Sequence, residues 1–356
     1  MSIRVLIVDD SLFMRSAIKK LLETDGRFEI VGQARDGEEG VRLAMELGPD
    51  VITMDFNMPK LDGAQATREI MTKRPTPIVL LSAHARQGGK ETLQALTAGA
   101  VDFVTKPSGE VSAYFSRVAP EMEETIAAAA EARPVVLEPA TRERPSLAGI
   151  KSSSTGLRIT LSASGQRVVV VGVSTGGPAA LTRVVPALPG RPPFAMVIVQ
   201  HMPTGFTQAL AERLAEVSDV GVREAIDGDV LQNGTCLLAP GDRHVVFSES
   251  GRIRLTTDPP VHGCRPSADV TLRSAAQVFG RRVTGVLMTG MGKDGAEGLA
   301  AIRAAGGRTL AQDRATSVIF GMPRAAIEMG VVDEVLALDD IAPALLRQVP
   351  RTAPGG

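Results

Sequence analysis

"RVVVVGVSTGGPAAL", residues 167–181, runs a valine-rich strand straight into glycines and the start of a helix. A short run of valines is typical of a strand that is covered on both faces, and a strand followed at once by a helix is the unit of a parallel α/β sheet. Ser174 stands at the corner between the two. The stretch therefore predicts a parallel sheet with a polar side chain at the carboxyl end of one strand.

The same alternation occurs on both sides of this stretch. Between residues 3 and 118, five apolar runs alternate with helical segments, which predicts a doubly wound parallel sheet in the flavodoxin-like order 2-1-3-4-5. Beyond 165 the alternation resumes in a Rossmann-like pattern, and "RHVVFSESGRIRLT" predicts a hairpin. We expect an α/β protein with two doubly wound domains, 1–118 and 161–350, joined by a linker at 119–160 that is rich in Pro, Ser and charge.

Composition narrows the range of functions. The 39 basic and 40 acidic side chains give a net charge of -1, which offers no electrostatic footprint for nucleic acid or an anionic membrane. Two cysteines in 356 residues do not form a disulfide framework. We also find no export signal and no apolar run long enough to span a bilayer. We therefore expect a cytoplasmic protein without a nucleic-acid partner and without membrane insertion.

Acidic residues follow the predicted strands of the N-terminal half. Asp9 and Asp10 end the first strand, Asp55 the third and Ser82 the fourth, while Lys106 follows the fifth. In the predicted strand order these side chains meet at one crevice, because ligands bind beyond the carboxyl ends of parallel strands. Three carboxylates so close together repel each other unless a cation joins them, and hard oxygen ligands suit Mg²⁺. Asp55 could then carry a phosphoryl group that the metal and Lys106 neutralise.

The segments "VDD", "MDFNMPKLDG", "LSA" and "VDFVTKP" resemble, in this order and spacing, the receiver domain of two-component response regulators. The resemblance implies that Asp55 is the phosphoacceptor and that a histidine kinase supplies the phosphoryl group. It also implies roles for further residues: Mg²⁺ ligands Asp9, Asp10, Asp55 and the backbone carbonyl of Asn57; phosphoryl contacts Ser82 and Lys106; and Phe103 as an aromatic side chain that changes rotamer on phosphorylation.

Ser174 in the C-terminal half allows two chemical interpretations. Residues 172–176 match G-x-S-x-G between a strand and a helix, which is the setting of a nucleophile elbow. Glycines that open a helix also expose amide groups to an anion, so a phosphate cradle is equally compatible with the pattern. A purely structural turn is a third possibility. The choice depends on whether the chain supplies a base for the serine.

Four histidines are available: His84, His201, His244 and His262. His201 ends "AMVIVQH", the strand after that of Ser174, so both side chains should emerge at the same edge of a parallel sheet, as a serine and its base require. His84 is expected on the solvent side of the N-terminal half. His244 and His262 fall in a turn and a loop, where either could lie at the rim of a site or contact substrate, but a structural role is the usual one for a single histidine.

An acid is needed to orient the imidazole. Asp294 in "VLMTGMGKDGAEG" stands where a buried strand ends in glycines and a helix begins, whereas Asp242 in "APGDRH" is better explained as a turn residue. The backbone amide of Met291 is a candidate oxyanion donor. The resulting chain order Ser, His, Asp differs from that of α/β-hydrolases, in which the acid precedes the histidine.

The segments "GVSTGGP", "VIVQHMPTGFTQALAERL", "LAPGDRH", "RPSADVTL", "TGMGKDGAEGL" and "FGMPRAAIEMG" resemble the catalytic domain of bacterial chemotaxis protein-glutamate methylesterases. The resemblance places Ser174, His201 and Asp294 on that family's triad. It implies hydrolysis of glutamyl methyl esters on chemoreceptors, release of methanol, and deamidation of receptor glutamines. It also implies that the unphosphorylated receiver covers part of the catalytic face, and that no cofactor is needed for hydrolysis.

Two functions of other classes remain open on the sequence. One is a receiver-controlled module that binds a phosphate or another anion at "GVSTGGP" without hydrolysis. The other is a signalling scaffold, against which the complete set Ser174, His201 and Asp294 argues. A DNA-binding output is disfavoured by the neutral charge and the lack of a helix-turn-helix pattern.

Overall fold

The computed structural model describes residues 2–82, 92–106, 111–132 and 165–347, with the backbone alone at 111–118. His84 and most of the predicted linker lie outside these ranges. Within them, no helix combines the length and apolar character needed to cross a bilayer.

The N-terminal half forms a five-stranded parallel sheet. Its strands run in the order β2-β1-β3-β4-β5, which confirms the predicted flavodoxin-like topology. The strands are β1 (Ile3–Val8), β2 (Phe28–Ala34), β3 (Val51–Asp55), β4 (Ile78–Ser82) and β5 (Asp102–Thr105). The helices are α1 (Leu12–Thr24), α2 (Gly37–Leu47), α3 (Gly63–Lys73) and α4 (Val111–Ala130), with a further helical turn at 92–97.

Helix α4 continues past the domain boundary predicted at 118. Its residues Met122, Ile126 and Ala129 are buried against the core of the first sheet. The alanine-glutamate stretch at the start of the predicted linker thus extends an amphipathic helix, which the sequence also allowed, because one apolar stripe at helical spacing is enough to attach it to the sheet.

The C-terminal half forms a seven-stranded sheet in which every neighbouring pair is parallel, in the order β14-β13-β12-β6-β7-β9-β8. Its strands are β6 (Val168–Val173), β7 (Ala195–Gln200), β8 (Gly221–Glu224), β9 (Thr235–Leu238), β12 (Val283–Leu287), β13 (Arg308–Gln312) and β14 (Glu334–Leu336). The predicted hairpin is present as β10 (His244–Phe247) and β11 (Ile253–Thr256). The helices are α5 (Gly177–Val184), α6 (Phe206–Val217), α7 (Ala268–Phe279), α8 (Ala296–Ala304), α9 (Met322–Glu328) and α10 (Leu338–Leu346).

The central strands of the second sheet are covered on both faces. All six residues of β6 and of β7 are buried, as the continuous valine and isoleucine runs predicted. Helix α7 begins at a capping side chain, Ser267, whose hydroxyl accepts from the backbone N–H of Val270, whereas the other helices of this half begin without a side-chain cap.

The two halves meet along β5, the edge strand of the first sheet. The Phe103 ring lies 4.5 Å from the Phe206 ring, measured between centroids. The backbone N–H of Gly176 donates to the carbonyl of Val101 at 3.1 Å. These contacts bring the N-terminal half directly against the turn that follows β6.

Truncation of Phe194 tests where the second core lies. Phe194 is fully enclosed, whereas Phe13 is 56% exposed. We expect Phe194→Ala to lower the free energy of unfolding of the C-terminal half by about 3–5 kcal/mol, because a large cavity is left. Phe13→Ala is the control and should change it by less than about 0.5 kcal/mol. Urea unfolding followed by circular dichroism measures both, and equal effects would contradict this description of the core.

Candidate functional site

Strand β6 lies between β7 and β12, so the residues that follow these three strands share one edge of the sheet. Val173 pairs with Gln200, which puts Ser174 and His201 side by side just beyond the strand ends. The Gln200 amide nitrogen donates to the carbonyls of Ser174 at 2.9 Å and of His201 at 3.2 Å. The buried amide thus fixes the two turns relative to each other.

Asp294 reaches the same edge from β12. Its Oδ2 lies 2.7 Å from His201 Nε2. The Asp294 side chain is 3% exposed and that of His201 is 12% exposed, so the pair is largely removed from water. The structure therefore brings together the predicted histidine and acid.

The start of helix α7 holds the Asp294 carboxylate in place. Oδ1 accepts from the Ser267 hydroxyl at 2.7 Å and from the Asp269 N–H at 3.1 Å, while Oδ2 accepts from the Ala268 N–H at 2.6 Å. Unpaired N–H groups at a helix N-terminus favour a negative charge. The sequence analysis missed these residues, although the serine that caps a helix in "RPSAD" was a signal for them.

Ser174 is near His201 but does not contact it through a hydrogen bond. Among the contacts between described residues, none joins Ser174 Oγ to the imidazole, whose Nδ1 instead lies 3.5 Å from the Cys264 sulfur. Looser geometry of this kind is common in sites without substrate. The nitrogen that faces away from Asp294 is the one that a serine would use.

The charges of His201 and Asp294 are coupled. Burial by itself would lower the pKa of His201, but the hydrogen bonds to the Asp294 carboxylate and to the Cys264 thiol outweigh it and hold the pKa above its usual value. Burial opposes the Asp294 charge as well, yet the imidazole and the donors from α7 hold the pKa of this carboxyl below its usual value. Asp294 is thus suited to stabilise an imidazolium ion.

The glycine-rich loop after β12 approaches the serine closely. A Cβ atom at Gly290 would lie 2.8 Å from the Cβ of Ser174, so a larger residue there would displace the serine. The next residue, Met291, is 41% exposed, and its backbone N–H makes no hydrogen bond to another described residue. The predicted oxyanion donor therefore directly follows Gly290, the residue that packs against Ser174.

The amides at the start of α5 are already occupied. The N–H of Ser174 donates to the Thr289 carbonyl, that of Gly176 to Val101 and that of Gly177 to Ser174. A phosphate cradle needs several such N–H groups to point at the anion. This arrangement does not favour the anion-binding interpretation of the turn.

The other predicted candidates take structural roles. His244 is fully buried, because β10 packs under α7, where its Nδ1 accepts from the Ser267 N–H at 3.2 Å; it has the structural role that is usual for a single histidine and does not lie at the rim of the site. His262 Nε2 lies 3.2 Å from the buried Asp269 carboxylate. Asp242 pairs with Arg265 in a turn, so it does not compete with Asp294.

The acidic cluster of the N-terminal half forms at the carboxyl edge of the first sheet. Oxygen atoms of Asp9, Asp10 and Asp55 lie within 4.8 Å of one another. Lys106 Nζ is 2.8 Å from Asp9 Oδ2 and 2.8 Å from Asp55 Oδ1. Burial raises the pKa of Asp55 despite the opposing effect of the nearby ammonium group.

These residues fit a small divalent cation. The three carboxylates provide hard oxygen ligands, and Asp9 Oδ2 is buried without a well-oriented hydrogen bond, although Lys106 lies beside it. Ser82 is the last residue of the neighbouring strand β4, and its hydroxyl is 2.8 Å from that of Thr92. The backbone N–H of Asn57 points to Asp55 Oδ1 at 3.4 Å.

Fold and site together define a class of protein: a receiver-like α/β domain joined to a second α/β domain that brings a serine, a histidine and an aspartate to one edge of its sheet. Residues 5–113 match the family described as response regulator receiver domain, and residues 169–345 match CheB methylesterase.

Full-length relatives carry the same combination. The chain is 47% identical over 355 residues to the protein-glutamate methylesterase/protein-glutamine glutaminase of Symbiobacterium thermophilum, covering 98% of this chain and 97% of the relative. It is 42% identical to that of Pyrococcus abyssi, covering 99% and 95%. The crystal structure of the Thermotoga maritima CheB methylesterase catalytic domain is 40% identical, with a TM-score of 0.50, over 51% of this chain and 98% of that one. The chain belongs to the CheB protein-glutamate methylesterase/protein-glutamine glutaminase family of receiver-containing enzymes.

Asp294→Asn tests the electrostatic coupling in the pair. Without the carboxylate charge, the raised pKa of His201 should fall towards its ordinary 6.5. Hydrolysis should fall on the order of 10³–10⁴-fold, because the imidazolium loses its counter-charge and its orientation. Titration of the histidine Cε1 resonances by NMR, assigned with His201→Gln, measures the pKa in the wild type and in the variant. An unchanged His201 midpoint would contradict the coupling.

Proposed function

We propose that the chain hydrolyses glutamyl methyl esters on methyl-accepting chemoreceptors and deamidates specific receptor glutamines, and that phosphorylation of its receiver activates both reactions. One observation carries the proposal: the His201–Asp294 pair lies at the sheet edge beside Ser174, with the second imidazole nitrogen directed away from the acid. The proposed catalytic part is 161–350 and the proposed receiver is 1–118.

The proposed mechanism is acyl transfer through a serine ester. Ser174 Oγ attacks the ester carbonyl while His201 takes its proton at Nδ1, since Nε2 is held by Asp294. The backbone N–H of Met291 stabilises the oxyanion. Collapse of the intermediate breaks the bond to the methoxy group, which leaves as methanol with the proton from His201.

Water then completes the cycle. His201 removes a proton from a water molecule that attacks the acyl-enzyme, and the same proton returns to Ser174 as glutamate is released. A glutamine side chain follows the same route with ammonia as the leaving group. Ser174 and then water attack the carbonyl carbon, and His201 carries the protons. The proposed steps use only the groups of this chain and water.

Phosphorylation is proposed at Asp55, with the chemotaxis histidine kinase as donor. Asp9, Asp10, Asp55 and the carbonyl of Asn57 would hold Mg²⁺, which when bound neutralises charge on the phosphoryl group. Lys106 already lies against Asp55, and Ser82 is the last residue of the adjacent strand, so both are placed to contact the phosphoryl oxygens. Both cysteines of the chain are free thiols, which suits a cytoplasmic location.

The contact along β5 supports control by the receiver. Thr175, directly after the proposed nucleophile, donates its hydroxyl to Asp102 Oδ2 at 2.5 Å. Phe103, the predicted switch residue, packs on Phe206 of the catalytic half. A rotamer change at Phe103 would remove that ring contact, and a shift of about 5.5 kcal/mol is enough to invert a two-state equilibrium. We propose that phosphorylation releases the catalytic face in this way.

Substitution of the nucleophile and of the phosphoacceptor separates the two halves of the proposal. With receptor-bearing membranes that carry tritiated methyl esters, Ser174→Ala should release no methanol above background, with or without phosphodonor and Mg²⁺. Asp55→Asn should keep the unstimulated rate and lose the stimulation. Methanol release from Ser174→Ala at the wild-type rate would refute the serine mechanism and leave the receiver assignment to be judged from Asp55→Asn.

The Asp102 contact predicts a pH dependence of the control. Burial raises the pKa of Asp102 to about 6 from an ordinary 3.8. Protonated Asp102 is the form that the buried position favours. The stabilisation that it gives to the docked receiver is therefore complete below pH 3.8 and lost as the pH rises through about 6. Asp102→Asn keeps a neutral acceptor for Thr175 at every pH, so the variant should be the slower enzyme.

The measurement is the rate of methanol release by Asp102→Asn divided by that of the wild type. Both proteins have the same triad, so the effect of triad protonation on the rate cancels in this ratio. We expect the ratio to fall as the pH approaches 6 and then to level off. The exposed Asp219→Asn is the control, with a ratio near one throughout. A ratio for Asp102→Asn that does not vary with pH would exclude pH-dependent control through the Asp102–Thr175 contact.

A further inference from the structure

The thiol of Cys264, which the proposed mechanism does not use, lies against His201, the proposed base. Cys264 ends a tight turn in which the N–H groups of Val261 and Cys264 donate to each other's carbonyls at 3.1 and 2.9 Å. The turn leads into α7, the helix that holds Asp294. It leaves Cys264 half-buried, with its sulfur 3.5 Å from His201 Nδ1.

Sulfur, imidazole and carboxylate form one continuous set. Cys264 Sγ contacts His201 Nδ1, and His201 Nε2 contacts Asp294 Oδ2 at 2.7 Å. A nucleophile within reach of a base that a third group orients is the arrangement that activates thiols, because the base takes the thiol proton. In this structure the nucleophilic atom in contact with His201 is the sulfur of Cys264.

We propose that Cys264 is a modification site at which low-molecular-weight disulfides form a mixed disulfide and thereby switch the hydrolase off. The thiol proton passes to His201 Nδ1, and the Cys264 sulfur attacks one sulfur of the disulfide. A new sulfur–sulfur bond forms as the old one breaks, and the second half leaves as a thiolate that takes a proton from solvent. Cys264 is oxidised and the released thiol is reduced, so a reducing dithiol reverses the step.

The second cysteine does not share these properties. Cys236 lies in β9 with no exposed surface, and burial raises the pKa of its thiol to about 12. It has neither access nor a thiolate at neutral pH, both of which exchange requires. The modification should therefore be confined to Cys264 in the native protein.

The inhibition rests on the proposed function of His201. A substituent on the Cys264 sulfur occupies the side of the imidazole from which Nδ1 exchanges a proton with Ser174. Loss of that base costs at least about a hundredfold in rate when general-base catalysis is removed completely. The modified enzyme should retain its fold, because Cys264 lies at the edge of the site and outside the core.

The experiment treats the full-length protein with glutathione disulfide, removes the reagent, and measures methanol release with phosphodonor and Mg²⁺. The wild type should lose at least about tenfold in rate and recover with dithiothreitol. Cys264→Ser and Cys264→Ala, each compared with its own untreated rate, should be unaffected, and Cys236→Ser should behave as the wild type. Intact mass should give one adduct per chain.

A second measurement does not depend on esterase activity. Peptide mass spectrometry follows the rate of adduct formation at Cys264, which should be slower in His201→Gln because the base is absent. Equal rates in the two proteins, an adduct on Cys236, or equal inhibition of Cys264→Ser would overturn the proposal. Ser174→Ala should still form the adduct, so the failure of the serine mechanism would be seen separately from failure of the thiol site.

Discussion

The Asp294 carboxylate is charged in a place where water cannot reach it. The contacts around it in the catalytic half compensate for the free energy that the carboxylate loses when it is removed from water. An isolated carboxylate in an apolar interior is unfavourable by tens of kcal/mol on Born solvation arguments. Four donors replace the water: the Ser267 hydroxyl, two backbone N–H groups of α7 and the imidazole of His201. The acid thus couples the orientation of the histidine to the position of a helix that starts 26 residues earlier in the chain.

The parallel sheet makes this convergence possible. Residues that follow β6, β7 and β12 are far apart in the chain but emerge at one edge, because parallel neighbours all end there. Side-chain hydrogen bonds from Gln200 then tie the Ser174 turn to the His201 turn. The first sheet repeats the principle with Asp9, Asp55 and Lys106. Both halves of the chain therefore place their chemistry at the carboxyl edge of a sheet.

The parts that local sequence could predict are those that depend on strand ends. Ser174, His201 and Asp294 each directly follow or lie just beyond a strand, so topology alone brings them near each other. The support from α7 and the thiol of Cys264 could not be predicted in this way, because they come from a loop whose path is set by tertiary packing. His244 shows the same limit: a turn residue in the sequence is a buried strand residue once β10 packs under α7.

Edge strand β5 connects the two chemistries. Lys106 follows β5 and pairs with Asp55, while Asp102 and Phe103 within β5 contact Thr175 and Phe206 of the other half. Successive residues of a strand point to opposite faces, so an edge strand wedged between two domains presents both faces to its surroundings. A change in charge at Asp55 alters the partner of Lys106, at the end of the same short strand that touches the residue after the proposed nucleophile. The strand is only four residues long. In so short an element, we expect a displacement of Lys106 at one end to move Asp102 at the other.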